Sequence, residues 1–228
     1  MIHNKKEFYG GAGLLVAFFV VLFFMFQPLF NGHNAMEYLD NLYNSISKGS
    51  VEYAPALKKE ASKYTSMDVE LNLTYSSEIE AKQATALFLT AGIKAAPQGK
   101  TLRVNGSLGT ILDATLTDCA SMYHNKGDVL QAKYNIEPRR AMFNWWTSLK
   151  LMDKELKAQG KFEAAKVTNT VEKKGVEAAY NYFKIEPMHI MENLGLVIFS
   201  LAFYVFYTLW YGFAILFVFE GWGLRLSH

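Results

Sequence analysis

The sequence predicts an α+β membrane protein: two transmembrane helices flanking an extracytoplasmic domain made of a helical stalk and a small βαβα unit. Two observations carry most of that expectation. Apolar runs from Gly10 to Phe30 and from Asn193 to Phe219 hold no Asp, Glu, Lys, Arg or His. Each exceeds the roughly 20 residues with which an α-helix crosses a hydrocarbon core of about 30 Å. Between them the chain turns polar, and its apolar positions take up first a helical, then a strand, then again a helical period. The expected layout is a cytoplasmic N-terminus at 1–9, a first span at 10–31, an extracytoplasmic domain at 32–187, a second span at 188–219 and a cytoplasmic C-terminus at 220–228.

The first span is expected to be a retained signal anchor. Secretory signal cores run about 7–15 apolar residues, and this one is longer. Lys5 and Lys6 before it, and Arg225 after the second run, place both ends inside by the positive-inside rule. That predicts a multi-pass protein of the inner (cytoplasmic) membrane, N-in and C-in, anchored as a hairpin with a periplasmic domain. Pro28 and Gly32 predict a break after the first span, and Pro187 predicts one before the second.

Leaving the first span, Met36, Leu39, Tyr43 and Ile46 form one narrow helical stripe, ended by Gly49-Ser50. A shorter helix is expected around Ala56 to Tyr64. Asp68 to Thr74 alternates polar and apolar residues and reads as a strand with one buried face. Ser77-x-x-Glu80 is a capping box opening a helix to about Gly92. A Pro97-Gln98-Gly99 turn and a strand at Thr101 to Val104 follow. Leu108 to Tyr123 is then a helix with Cys119 on its core stripe, closed by an Asn125 to Asp128 turn.

Glu137-Pro138 opens the next helix, with proline in its first turn. Met142, Trp145, Leu149, Met152 and Leu156 repeat along it at three and four. Gln159-Gly160 breaks it. A second helix carries Phe162, Ala165, Thr168, Val171, Ala178, Ala179, Tyr182 and Phe183, and should pair with the first as a hairpin leading straight into the second span. Met36 and Tyr43 are expected to join Trp145, Leu149, Met152 and residues 171–179 in one bundle core.

The chemistry is sparse. Cys119 is the only cysteine, so no internal disulfide forms. Asn105-Gly106-Ser107-Leu108-Gly109 stands where glycine-rich loops bind phosphate, yet it lacks the endings of a P-loop or a dinucleotide fingerprint. It reads as a turn and helix cap. Metal-hydrolase and acyl-transfer signatures are missing, so no catalytic residue, no cofactor and no enzyme activity are expected. A formal charge of +2 with mixed signs gives no footprint for nucleic acid. Arg139-Arg140 near Trp145-Trp146 invites a ligand reading, set against arginines that merely stack on the hairpin surface. His33 and His189, with Met188 and Met191, have the donor softness that suits copper or haem, although such residues also suit a membrane boundary.

In the second span Tyr204, Tyr207, Trp210 and Tyr211 share one helical side. Their polar atoms lack water at that depth, which favours packing on another protein surface, with the first span the nearest candidate. The partners so implied are the lipid bilayer and other membrane-protein subunits, or further copies of this chain. The function expected from these features is a non-enzymatic accessory or scaffolding subunit of an inner-membrane complex with a partner-docking domain. Two rivals are a ligand-sensing module relaying through a partner, and an electron-transfer or metal-handling subunit built on the His33/His189 region.

Overall fold

The computed structural model describes residues 2–30, 32–50 and 52–224; Arg225 lies outside them. It is a mixed α+β structure with one three-stranded sheet and two helices long and apolar enough to cross a membrane. The chain divides into two compact units, one formed by residues up to Gly49 with those from Pro187 onward, the other by Ser50–Glu186.

In the first unit, α1 (Lys5–Met25) and α10 (Leu194–Trp222) pack along each other. Small residues set their separation. A Cβ on Gly11 would stand 2.7 Å from the Val218 nitrogen, and one on Gly221 would overlap the Phe8 backbone. The amides of His3 and Asn4 bond the Gly221 carbonyl at 2.9 Å, tying the start of one helix to the end of the other. Asn4 caps α1 by accepting from the Lys6 and Glu7 amides. Helix α1 stops at Met25, three residues before Pro28, because a proline cannot donate to the helical ladder. The chain reverses through paired backbone bonds between Phe30 and His33. Asn34 and Glu37 then cap α2 (Ala35–Ser50) reciprocally, each accepting the other's amide.

Here an expectation fails. Met36 is exposed and Tyr43 bonds Ser200 of α10 at 2.6 Å, so the α2 stripe does not join the Trp145 bundle. A narrow stripe shows that a helix has an apolar face, but not which surface covers it.

The second unit begins with α3 (Ala54–Ala61) and carries β1 (Asp68–Thr74), α4 (Glu78–Thr90), β2 (Lys94–Gln98), β3 (Thr101–Ser107) and α5 (Leu108–Tyr123). Val69, Leu71 and Leu73 are buried while their β1 neighbours face out, as the alternation requires. Ser77 accepts the Glu80 amide and caps α4. The unit is βαββα rather than βαβα, because Pro97 and Gln98 lie in β2 and the turn is Gly99-Lys100 alone. Gly99 has φ +58°, the pattern of a type II′ hairpin. Proline is tolerated there because β2 is an edge strand. The strand order is β1-β3-β2, with β3 antiparallel to both neighbours. Strands β1 and β2 are therefore parallel and split by β3, a split βαβ arrangement.

A further short helix, α6 (Gly127–Tyr134), takes over the second half of the expected turn after α5. Helix α7 (Pro138–Ala158) starts as expected, Glu137 accepting the Arg140 amide, and Met142, Trp145, Leu149, Met152 and Leu156 are fully buried. Gly160 turns the chain with φ +73°. The return helix is not uniform: α8 (Phe162–Thr170) and α9 (Glu177–Asn181) are joined by a π-helical turn, Val171–Val176. Phe162, expected in the seam, is exposed. The return helix also does not run straight into α10. Residues 183–189 are non-helical around Pro187, and a 3-10 turn, Ile190–Asn193, precedes α10.

One apolar cluster unites the sheet, α4, α5 and the α7–α9 hairpin, with Phe88 and Trp145 edge to face at 5.5 Å.

Candidate functional site

The outer side of the helical hairpin carries an open groove of about 350 Å³. Residues 139, 142, 143, 146 and 150 recur at three and four along α7 and so share one face. Met142 and Val176, both fully buried, form the floor. Phe143, Trp146 and Tyr180 form the walls, with Phe143 and Tyr180 each 37% exposed. The π-helical turn feeds directly into this site, since Val176 ends it and Glu177 follows. Such turns recur at functional positions, because the wider ladder re-aims the side chains after it.

The polar fittings are few. Trp146 donates its indole N–H to Glu177 at 3.1 Å. Arg140 lies over Phe143 at 5.1 Å and donates to Gln83. Arg139 lies over Tyr180 at 5.5 Å, and Lys150 over Trp146 at 4.6 Å. Among the described residues neither Arg139 nor Lys150 has a carboxylate within ion-pair distance. They stand eleven residues apart, about 16 Å along a helix, beside a lining that also holds the Glu177 carboxylate and Asn181. Beside it Glu172 is only 5% exposed, and burial, with Glu177 adding repulsion, pushes its carboxyl above the usual range.

A second polar constellation lies inside the core. Asp118, 2% exposed, accepts from Lys133 at 2.9 Å, from the Tyr134 hydroxyl at 2.5 Å and from the Trp145 indole at 2.8 Å. Every donor is a side chain of the fold itself, so this carboxylate fixes α5, α6 and α7 together. Burial and the adjacent Asp118 push the Tyr134 hydroxyl well above its ordinary range. Next to it Cys119 is buried, and burial pushes its thiol well up. That is the setting of a packed thiol rather than a reactive one.

The residues singled out by sequence fall as follows. Ser107 caps α5 and also donates to the Thr65 carbonyl at 2.7 Å, while a Cβ on Gly109 would stand 2.5 Å from the Thr65 nitrogen. Backbone therefore fills the space that a phosphate would need. His33 pairs with Glu37 at 3.5 Å. The Met188 sulfur accepts from Asn193 at 2.8 Å, His189 Nδ1 accepts the Met191 amide at 3.3 Å, and Met191 is exposed. Among the described residues no three His, Cys, Asp or Glu side chains gather as a metal site would require.

Of Tyr204, Tyr207, Trp210 and Tyr211 on α10, three meet α1. Tyr207 stacks on Phe18 at 4.2 Å, Tyr211 lies 5.0 Å from the same ring, and Trp210 donates to the Leu14 carbonyl at 3.1 Å. Tyr204 faces away, 68% exposed. Comparison with protein-family models, with curated proteins and with solved structures found no match.

The groove was only half visible in the sequence. The Arg139-Arg140 and Trp145-Trp146 pairs flagged its α7 side, but Tyr180 and Glu177 reach it through a π-helical turn that periodicity does not reveal.

Proposed function

We propose that this chain is a non-enzymatic accessory or scaffolding subunit of a membrane complex. In this reading α1 and α10 hold it in an inner (cytoplasmic) membrane, N-in and C-in, and Ser50–Glu186 docks a partner protein outside. The observation that carries the reading is the groove lined by Phe143, Trp146 and Tyr180. Exposed aromatic walls over a rigid apolar floor are what interface hot spots use, and Trp, Tyr and Arg are the residues enriched there. Arg139 over Tyr180 and Lys150 over Trp146, the latter also facing Glu172, favour as occupant a protein segment whose apolar side chains are flanked by carboxylates. Electrostatic matching of that kind sets orientation and speeds encounter.

The sensing alternative asked for a ligand-sized pocket within the α/β unit. Beneath the sheet Leu71, Leu73, Leu102, Val104 and Leu112 are fully buried, and the opening of about 350 Å³ that this unit carries is a shallow one on its surface, lined by Leu89, Lys94, Ala95, Ala96, Arg103 and Asn105. The metal alternative draws on the His33/His189 region, where His33 pairs with Glu37 and the Met188 sulfur and His189 Nδ1 each accept a local hydrogen bond.

Crosslinking in native membranes, followed by purification in mild detergent, tests the proposal. The full chain should bring down a defined partner, with crosslinks mapping to α7 and α9. The double variant Arg139→Glu/Tyr180→Ser should lose it while keeping wild-type expression and melting. A partner retained by that variant, or crosslinks mapping only elsewhere, would overturn the groove as the docking site.

A further inference from the structure

Where α1 ends, the first turns of α10 and the first half of α2 line a half-open cavity of about 180 Å³. Its walls are Met25, Phe30, Leu39, Leu196, Phe199 and Phe203, with Tyr38 stacked on Phe30 at 5.5 Å. Among the described residues no charged side chain lines it, and only two polar ones do. These are Ser200, whose hydroxyl is already engaged with Tyr43 at 2.6 Å and with the Val197 carbonyl at 2.9 Å, and Tyr38, which offers a single phenol. A buried water needs two to four polar partners and an apolar cavity stays dry, so neither water nor a polar ligand suits this space.

We propose that the cavity holds a stretch of one acyl chain of a membrane phospholipid. This rests on the reading that α1 and α10 span a membrane, and is independent of the docking groove. Two of its walls belong to the ends of those apolar helices, so its mouth opens at a depth where acyl chains are themselves the solvent. Mass action then favours them over any scarcer apolar ligand. The third wall has the character of an interfacial helix. Leu42 of α2 is buried while Glu37 and Asp40 are exposed on the same helix, and such amphipathic helices lie in the boundary between headgroups and chains. The Asn34–Glu37 cap and the His33–Glu37 pair sit at the start of that helix, where a headgroup would lie.

The test uses the full chain in vesicles of phosphatidylethanolamine and phosphatidylglycerol carrying a trace of phospholipid with a photoactivatable diazirine on one acyl chain. After irradiation, adducts are mapped by peptide mass spectrometry. Adducts are expected on Met25, Leu39 and Phe199, as well as on Phe206 and Phe213 of the exposed α10 surface. Leu39→Trp should reduce cavity labelling severalfold and leave Phe206 and Phe213 unchanged, with the smaller Leu39→Phe giving a graded loss. Labelling of Phe206 and Phe213 alone overturns the proposal, as does cavity labelling that Leu39→Trp leaves intact. Diazirine adducts that join two copies of the chain through Leu39 would make a second copy the occupant. Labelling nowhere would instead overturn the membrane reading beneath it.

Discussion

Trp145 ties together the core of the second unit. It is fully buried, edge to face with Phe88, and it supplies one of the three donors that hold Asp118. Two separate costs follow from its removal. Truncation to alanine empties a core site, typically about 3–5 kcal/mol, and leaves a buried carboxylate short of one partner. Trp145→Phe keeps most of the volume and loses only the hydrogen bond, worth about 1–3 kcal/mol for a buried group left less satisfied. Denaturation of the full chain in detergent should therefore rank wild type above Trp145→Phe above Trp145→Ala. A Trp145→Ala protein within about 0.5 kcal/mol of wild type, the range of ordinary surface changes, would remove Trp145 from the core. The burial of Trp145 was readable from its place on the three-and-four stripe. Its partner was not, because Asp118 sits 27 positions away on another helix, and no local pattern connects a carboxylate on α5 to an indole on α7.

At the scale of elements, legibility tracked how much each element depends on itself. Strand β1 announces itself by strict alternation, and α7 by its proline start and its regular stripe. Strand β2 was missed because Lys94-Ala-Ala-Pro-Gln98 has no β-branched or aromatic residue, and it is a strand only because β3 pairs with it. The π-helical turn was missed for a similar reason. Gly175 there fits tightly against α5, where a Cβ would stand 3.1 Å from Leu116, so the wider turn belongs to tertiary packing. The α1–α10 hairpin offers a matched pair of tests. Gly11 has α10 backbone within 3 Å of where its Cβ would be, whereas Gly13, two residues on, has nothing within 4 Å. Gly11→Leu and Gly13→Leu change mean hydropathy equally, yet only the first has to push the helices apart. Overpacking of this kind costs about 1–3 kcal/mol, and here it would also strain the Phe18–Tyr207 stack and the Trp210–Leu14 bond. Gly11→Leu should lower the SDS concentration at which hydrogen exchange in α1 accelerates, and Gly13→Leu should not. Equal shifts would mean that the two helices do not pack through the Gly11 face.

For the whole molecule, the informative fact is where the second unit begins and ends. Its apolar cluster runs from Leu57 to Phe183 and takes no residue from α1, α2 or α10. Its two ends are gathered at one place, the two residues that follow α5. His124 holds Glu52 on the incoming chain at 3.1 Å, while Asn125 bonds the Lys184 amide, the Ile185 carbonyl and the Glu186 carboxylate on the outgoing one. The first unit shows the same pairing of segments: the Met188 amide bonds the Ser45 carbonyl at 3.0 Å, and a Cβ on Gly49 would overlap the Met188 carbonyl. A domain whose ends lie together can be inserted into a helical hairpin without disturbing either, and its core does not need the hairpin to be complete. Residues 50–186 expressed alone should therefore be soluble and monomeric, with dispersed amide resonances and a single cooperative melt. Asn125→Ala should lower that melt by loosening the outgoing segment, since Asn125 also holds a left-handed φ of +59° that alanine adopts poorly. Asn125→Gly keeps the backbone conformation and loses only the side-chain bonds, so it separates the two contributions. If the excised unit aggregates or melts without cooperativity, the hairpin is part of its fold. If it folds, the groove of Phe143, Trp146 and Tyr180 is available in water without detergent, and an acidic, apolar partner segment should bind it there with an affinity that falls as salt screens Arg139 and Lys150.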